Sequence, residues 1–277
     1  MLIVDAQIHV WGRNTPERPW PTSTKGRAHS HGDELTWQTV LAAMDQAGVD
    51  RAVLVPPTWE GDRNDLALEA ARLHPRRFAV MGRIAPELPG APALLDGWLS
   101  QPGMLGVRMV FQPGQPWLTD NSADWLWPRL EQLGIPMMAA PQGHFDMLED
   151  IARAYPKLRI VIDHMGCRSP RKDEEAFADL DRVLAFARHP NVAVKASAMP
   201  CYSTAPYPFA NVHGYIRRAF DAFGPQRFFW GTDLSRLTCS YREAVTMFTE
   251  ALPWLKGEDL ERAMGRGVCE WIGWKPD

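Results

Sequence analysis

Four short stretches of this 277-residue chain hold residues that could do chemistry together. Asp5, Gln7 and His9 alternate with Val4, Ala6 and Ile8 in the run Ile3-Val4-Asp5-Ala6-Gln7-Ile8-His9-Val10-Trp11. His164 follows Asp163 in Val161-Ile162-Asp163-His164-Met165-Gly166, and Asp233 ends Trp230-Gly231-Thr232-Asp233. Arg108, in Gly106-Val107-Arg108, adds a planar cation. A carboxylate can take a proton from water. Imidazole N–H groups can stabilise an oxyanion, and a guanidinium can grip a carboxylate through its fork. The chemistry implied is attack of an activated water on the carbonyl of a small acidic molecule.

Those residues need elements to position them. Period-two alternation predicts a first strand with Asp5, Gln7 and His9 on one face, and an inward polar row has to be satisfied or used. A long loop follows at 12–35, rich in Pro, Arg, Gly and His, and its Pro19-Trp20-Pro21 cluster favours an ordered lid. Thr36 reads as the N-cap of a helix over Trp37–Ala47, with Gly48 as its stop. A short apolar run then alternates with a helical pattern along the rest of the chain. The runs are Ala52–Val55, Phe78–Ile84, Gly106–Phe111, Pro136–Ala140, Arg159–Asp163, Val192–Ser197 and Arg227–Thr232, and a helical block closes the chain. Eight βα units in one chain of this size predict an α/β fold, a (β/α)8 TIM barrel forming a single domain over 1–277. An open doubly wound sheet would carry a Gly-rich phosphate loop after its first strand, and none is present.

In such a barrel, chemistry belongs at the C-terminal strand ends. The residues there are Gln7, His9 and Trp11, then Pro57 and Trp59, then Arg83 and Arg108. Gln142 with His144 beyond, Asp163-His164, Lys195 with Ser197, and Asp233 complete the circuit. Composition narrows the partners. A formal charge of -3 gives no field for nucleic acid, and no apolar run is long enough for a membrane span or reads as a signal peptide. Four scattered cysteines, Cys167, Cys201, Cys239 and Cys269, read as reduced thiols of a cytoplasmic protein.

Taken in order, the four stretches resemble the amidohydrolase superfamily, in the branch that holds pyrone-dicarboxylate lactonase, sugar-acid lactonases and metal-dependent decarboxylases. The resemblance implies a metal site built from His-x-His on the first strand, a His on each of the fifth and sixth, and an Asp on the eighth. Here Gln7 and Ala140 stand at two of those positions, while His9, His164 and Asp233 match the others. The lactonase subgroup supplies a precedent for metal-free work. The leading expectation is therefore metal-free hydrolysis of a lactone, with no cofactor. Asp233 is the general base, His9 and His164 polarise the carbonyl, Gln7 adds an amide N–H, and Arg108 holds a substrate carboxylate. The alternatives left open are one zinc or manganese ion on His9, His164 and Asp233, and a non-catalytic binding protein on an enzyme scaffold.

Three further features bear on the pocket. Trp11, Trp20 and Trp59 lie near the mouth and could wall a flat ring, while Tyr202 or Ser203 could donate to a substrate. The segment after the seventh strand holds no arginine, which counts against a dicarboxylate. A second His-x-His, His29-Ser30-His31, reads as a solvated loop segment. Arg108 has a structural alternative in a pair with Asp5, Lys195 in bridging carboxylates inside the barrel, and Asp233 in capping a short helix. Trp254, Trp271 and Trp274 in the closing block leave a homo-oligomer open.

Overall fold

Apolar strand runs separated by amphipathic helices cannot bury both element types in one layer, and the chain resolves this by rolling its strands into an inner ring. The computed structural model describes residues 1–21 and 32–275. Its strands are β1 (Val4–Ile8), β2 (Arg51–Leu54), β3 (Phe78–Gly82), β4 (Met104–Val110), β5 (Met137–Ala140), β6 (Ile160–Ile162), β7 (Val192–Ser197) and β8 (Phe228–Gly231). They pair in chain order, every ladder parallel, with helices between successive strands. This is a (β/α)8 barrel, nearly closed. The first helix spans Trp37–Ala47; the Thr36 side chain accepts the Thr39 N–H at its start, and Gly48 adopts a left-handed φ of 75° at its end.

Strand parity divides the core in two. Ala52, Leu54, Phe78 and Val80 pack outward against the helices, while Val53, Val55, Ala79 and Met81 fill the barrel interior. The interior cluster runs down into Val268, Cys269, Ile272 and Trp274, so the C-terminal segment plugs the lower end. The closing tryptophans are therefore packed within this chain. Trp274 lies under Arg51, Trp271 against Phe229, and Trp254 against Phe220.

The first strand departs from strict alternation. Val4 and Ala6 face the interior and Ile8 packs outside, with a register irregularity between Asp5 and Ile8. Such a bulge re-aims side chains. It turns Gln7 and His9 inward while Asp5 points the other way, so Asp5 does not share their row. Asp5 instead stitches the seam between β1 and β8. Its Oδ1 accepts the N–H groups of Gln7 (3.0 Å) and Thr232 (2.9 Å), and its Oδ2 accepts the hydroxyls of Thr232 and Tyr241. Burial pushes its carboxyl up to about 6, against those four donors. Gly231 permits the close approach, since a Cβ there would stand 3.2 Å from both Asp5 Oδ1 and the Gln7 nitrogen. The Asp233 N–H donates to the Gln7 carbonyl at 2.8 Å, which ties the tips of β1 and β8. Among the described residues no helix is long and apolar enough to cross a membrane.

Candidate active site

A cavity of about 490 Å³ opens at the C-terminal ends of the strands. His9 follows β1, Trp59 follows β2 beside Pro57 and Thr58, and Arg108 belongs to β4. His164 follows β6, and Asp233 follows β8. Gln112 and Gln142 line the far side, with Cys167, Ser169 and Pro170 from the loop after β6. The backbone turns sharply to present these groups. Gln142, His164 and Asp233 all hold left-handed φ values, 49°, 54° and 52°. Each such position costs about 1–3 kcal/mol for a residue with a Cβ and persists only where the surroundings impose it. Asp233 stands at the start of the one-turn helix Leu234–Arg236 but makes no side-chain cap there. Its carboxylate is directed to the site instead.

Asp233 is the hub. His9 Nε2 lies 3.1 Å from its Oδ1, while Arg236 Nη1 at 3.3 Å and His164 Nε2 at 3.7 Å approach Oδ2. Burial alone would raise this carboxyl, but His9, Arg236 and His164 outweigh burial and hold it well below the usual carboxylate range. It is therefore ionised. His9 Nδ1 faces the Val55 carbonyl, which only accepts, so that nitrogen carries a hydrogen. The ring's Nε2 faces the ionised Asp233 carboxylate, and a hydrogen there would make the contact charge-assisted. His164 Nδ1 pairs with Ser197 Oγ at 2.7 Å. Burial pushes His164 down to about 3 despite Asp233 and Asp163, so its ring is neutral near pH 7.

A second layer of charge lies beneath. Lys195, wholly buried, reaches Asp163 Oδ1 at 2.8 Å and Gln7 Oε1 at 2.5 Å. Asp163 Oδ2 accepts from Arg108 Nε at 3.1 Å. Burial raises the Asp163 carboxyl, but Lys195 and Arg108 win and hold it at about 2. Arg108 thus pairs with Asp163, not with Asp5, and spends only Nε on the protein among the described residues.

The other residues singled out from sequence lie behind the wall. Gln7 is fully buried with its amide oxygen on Lys195. Trp11 packs edge-on to Trp59 at 5.3 Å and exchanges backbone hydrogen bonds with Leu35. Trp20 joins both tryptophans in one buried cluster. Tyr202 is buried beneath Arg236, accepting from its Nη1 at 3.0 Å. None of these is among the residues that line the cavity. Arg83 borders a different cavity, beside Asp62. His29-Ser30-His31 falls outside the described residues. Arg236 was not legible as a site residue from its type alone. The available signal was its spacing, three residues past Asp233, which a single helical turn brings back to the carboxylate.

Two observations bear on whether these residues could hold a metal. Among the described residues, no group of three or more His, Cys, Asp or Glu side chains is arranged to hold an ion. Gln7 presents its oxygen to an ammonium, and the same ammonium lies 3.1 Å from Met138 Sδ on β5. A fixed cation already stands in the heart of the barrel.

Comparisons with known proteins identify the family and the fold. Residues 4–272 match the amidohydrolase family. An L-fucono-1,5-lactonase from Burkholderia ambifaria is 30% identical over 84% of this chain and 81% of its own length. A 4-sulfomuconolactone hydrolase from Hydrogenophaga intermedia is 27% identical, over 83% of this chain and 73% of its own. Among solved structures, a zinc-bound amidohydrolase from Burkholderia multivorans superposes with a TM-score of 0.81 at 18% identity, covering 99% of each chain. A probable 2-pyrone-4,6-dicarboxylic acid hydrolase from Acinetobacter baumannii, with citric acid bound, gives 0.78 at 19% identity over 99% of this chain and 100% of that one. A family match spanning nearly the whole barrel, with His9, His164 and Asp233 gathered at its mouth, makes this chain a member of the amidohydrolase family.

Proposed function

We propose that the protein hydrolyses a lactone of a small organic acid, without metal, using Asp233 to activate water. The observation that carries this is the contact of the ionised Asp233 carboxylate with His9, His164 and Arg236 at the wall of one cavity. Water between Asp233 and the substrate carbonyl gives its proton to the carboxylate as its oxygen bonds to the carbonyl carbon. Negative charge then appears on the carbonyl oxygen, where N–H groups of His9 and His164 receive it. Collapse of this intermediate breaks the ring C–O bond, and the proton held on Asp233 passes to the departing alkoxide.

A carboxylate held this far down is a weak base while it is paired. Substrate relieves that: a carbonyl taking the His9 Nε2 hydrogen removes one of the bonds that depress Asp233. Lactones need only modest help, because the alkoxide leaves more readily than an amine would. Charge also speaks to the substrate. Two buried cations, Lys195 and Arg108, and the half-buried Arg236 face two buried carboxylates, Asp163 and Asp233. The terminal nitrogens of Arg108, unspent on the described residues, suit a carboxylate or sulfonate on the substrate. Trp59 offers a flat wall. The lactonase relatives support this class of substrate, and four free cysteines fit a reducing, cytoplasmic setting.

The test is a panel of sugar-acid and muconate-type lactones, assayed with wild type and Asp233→Asn. Turnover by wild type and its loss in the variant are expected. Equal rates in the two would remove Asp233 from the mechanism.

A further inference from the structure

Among the described residues, Arg236 is the one arginine or lysine that touches the base itself. Its guanidinium lines the cavity and is buried to 8% side-chain exposure. Nη1 is committed twice, to the Tyr202 hydroxyl at 3.0 Å and to Asp233 Oδ2 at 3.3 Å. Among the described residues, Nε and Nη2 make no hydrogen bond. The guanidinium carbon stands 5.0 Å from the centroid of the Tyr202 ring, which backs it with an aromatic face. The main chain is pinned as well, since the Arg236 N–H donates to the Asp233 carbonyl at 2.8 Å and Cys201 Sγ donates to the Arg236 carbonyl. A side chain held from behind and below, with one edge unspent beside a catalytic carboxylate, is built to meet something.

The chemistry of ring opening says what. Water adds to the lactone carbonyl, the ring C–O bond breaks, and the product is a hydroxy acid. At neutral pH this acid gives its proton to solvent and becomes a carboxylate. That anion forms at the carbon that Asp233's water attacked, beside an aspartate which has regained its own charge. Two carboxylates side by side repel unless a cation lies between them. During turnover negative charge also migrates, from Asp233 onto the carbonyl oxygen, and a cation in reach of both ends keeps its partner throughout.

We infer that Arg236 is the seat of the carboxylate that ring opening creates, bridging it to Asp233 through the unspent Nε–Nη2 edge. This rests on the lactonase reading above. It is separate from the role of Arg108, which addresses an anionic group already present on the substrate. It assigns to Arg236 the binding of product more than of the uncharged ring.

The experiment compares the ring with its opened form. L-Fucono-1,5-lactone and L-fuconate, its ring-opened acid, are the probes. If the panel reveals a lactone turned over faster, that lactone and its ring-opened sodium salt replace them. In Arg236→Met the inhibition constant of the acid should rise roughly 30-fold, the worth of a charge-assisted hydrogen bond. KM for the lactone should change less than about 3-fold on the same reasoning, since the ring has no charge to lose. Arg236→Lys should recover part of the acid's affinity. Arg236→Gln, which keeps donors for Tyr202 and Asp233, carries the same comparison if the methionine variant does not fold. Asp233→Asn should bind the acid more tightly than wild type, because one of the two repelling charges is gone. An acid that neither inhibits nor binds wild type would overturn the inference, as would equal factors on the inhibition constant and KM. Full turnover by Asp233→Asn would instead sink the lactonase mechanism, whatever Arg236 does to the acid.

Discussion

Asp163→Asn tests the buried charge layer on which Arg108 depends. The side chain keeps its shape and loses its charge, so two cations lose their shared counter-ion at once. In the wild type Lys195 Nζ and Arg108 Nε lie 2.8 and 3.1 Å from the two carboxylate oxygens, and all three side chains are buried. Together the cations hold the carboxyl at about 2 instead of 3.8, which corresponds to about 2.5 kcal/mol of folding free energy near pH 7. Stranding two buried cations adds to this, so the expected loss is about 3–5 kcal/mol. The sign of the pH dependence is fixed. A carboxyl lowered on folding stabilises above its unfolded value, and that contribution disappears as pH falls from 3.8 toward 2. The variant lacks that acid slope. In its place Lys195, already pushed down by burial, is driven further toward its neutral form. Unfolded chains then bind more protons than folded ones in the alkaline range, so the variant gains stability as pH rises toward the ordinary lysine value. Urea unfolding from acid to alkaline pH reads both effects. A loss under about 1 kcal/mol at pH 7, or a gap between variant and wild type that ignores pH, would refute the reasoning.

Two further outcomes are expected. Asp233→Asn should lower kcat by about 10²–10⁴, the usual contribution of a general base, with the fold intact by circular dichroism. His164 is pushed down to about 3 by burial, so its neutral form stabilises the fold above about 6.5 and that contribution is lost as pH falls toward 3. His164→Gln should flatten the stability–pH profile between those limits, and an unchanged slope in urea titrations would contradict the assignment.

Much of the barrel was legible because its logic is local. Apolar runs such as Ala52–Val55 and Phe78–Ile84 are too short for helices and are separated by helical periods, which leaves few topologies. Thr36 and Gly48 marked the first helix correctly for the same reason. The first strand was harder, because a bulge is a property of pairing and not of composition. Period two put Asp5 beside Gln7 and His9, whereas the seam with β8 claimed it. Gln7, Trp11 and Tyr202 had suitable chemistry and suitable positions along the chain. Depth sets them apart: each lies one layer behind the cavity, supporting Lys195, Trp59 and Arg236 in turn. Position along a strand gives direction and height. It does not tell which of two layers a side chain fills, and that is decided by partners distant in sequence, such as Lys195 for Gln7.

The central claim is that side-chain charges, not a bound ion, polarise the carbonyl struck by the water on Asp233. Its most direct test is the kcat of protein stripped with a chelator, dialysed and assayed for zinc, manganese and iron by elemental analysis. The account predicts full turnover on a lactone with far less than one metal ion per chain. Turnover that vanishes on stripping and returns with one equivalent of zinc or manganese would contradict it.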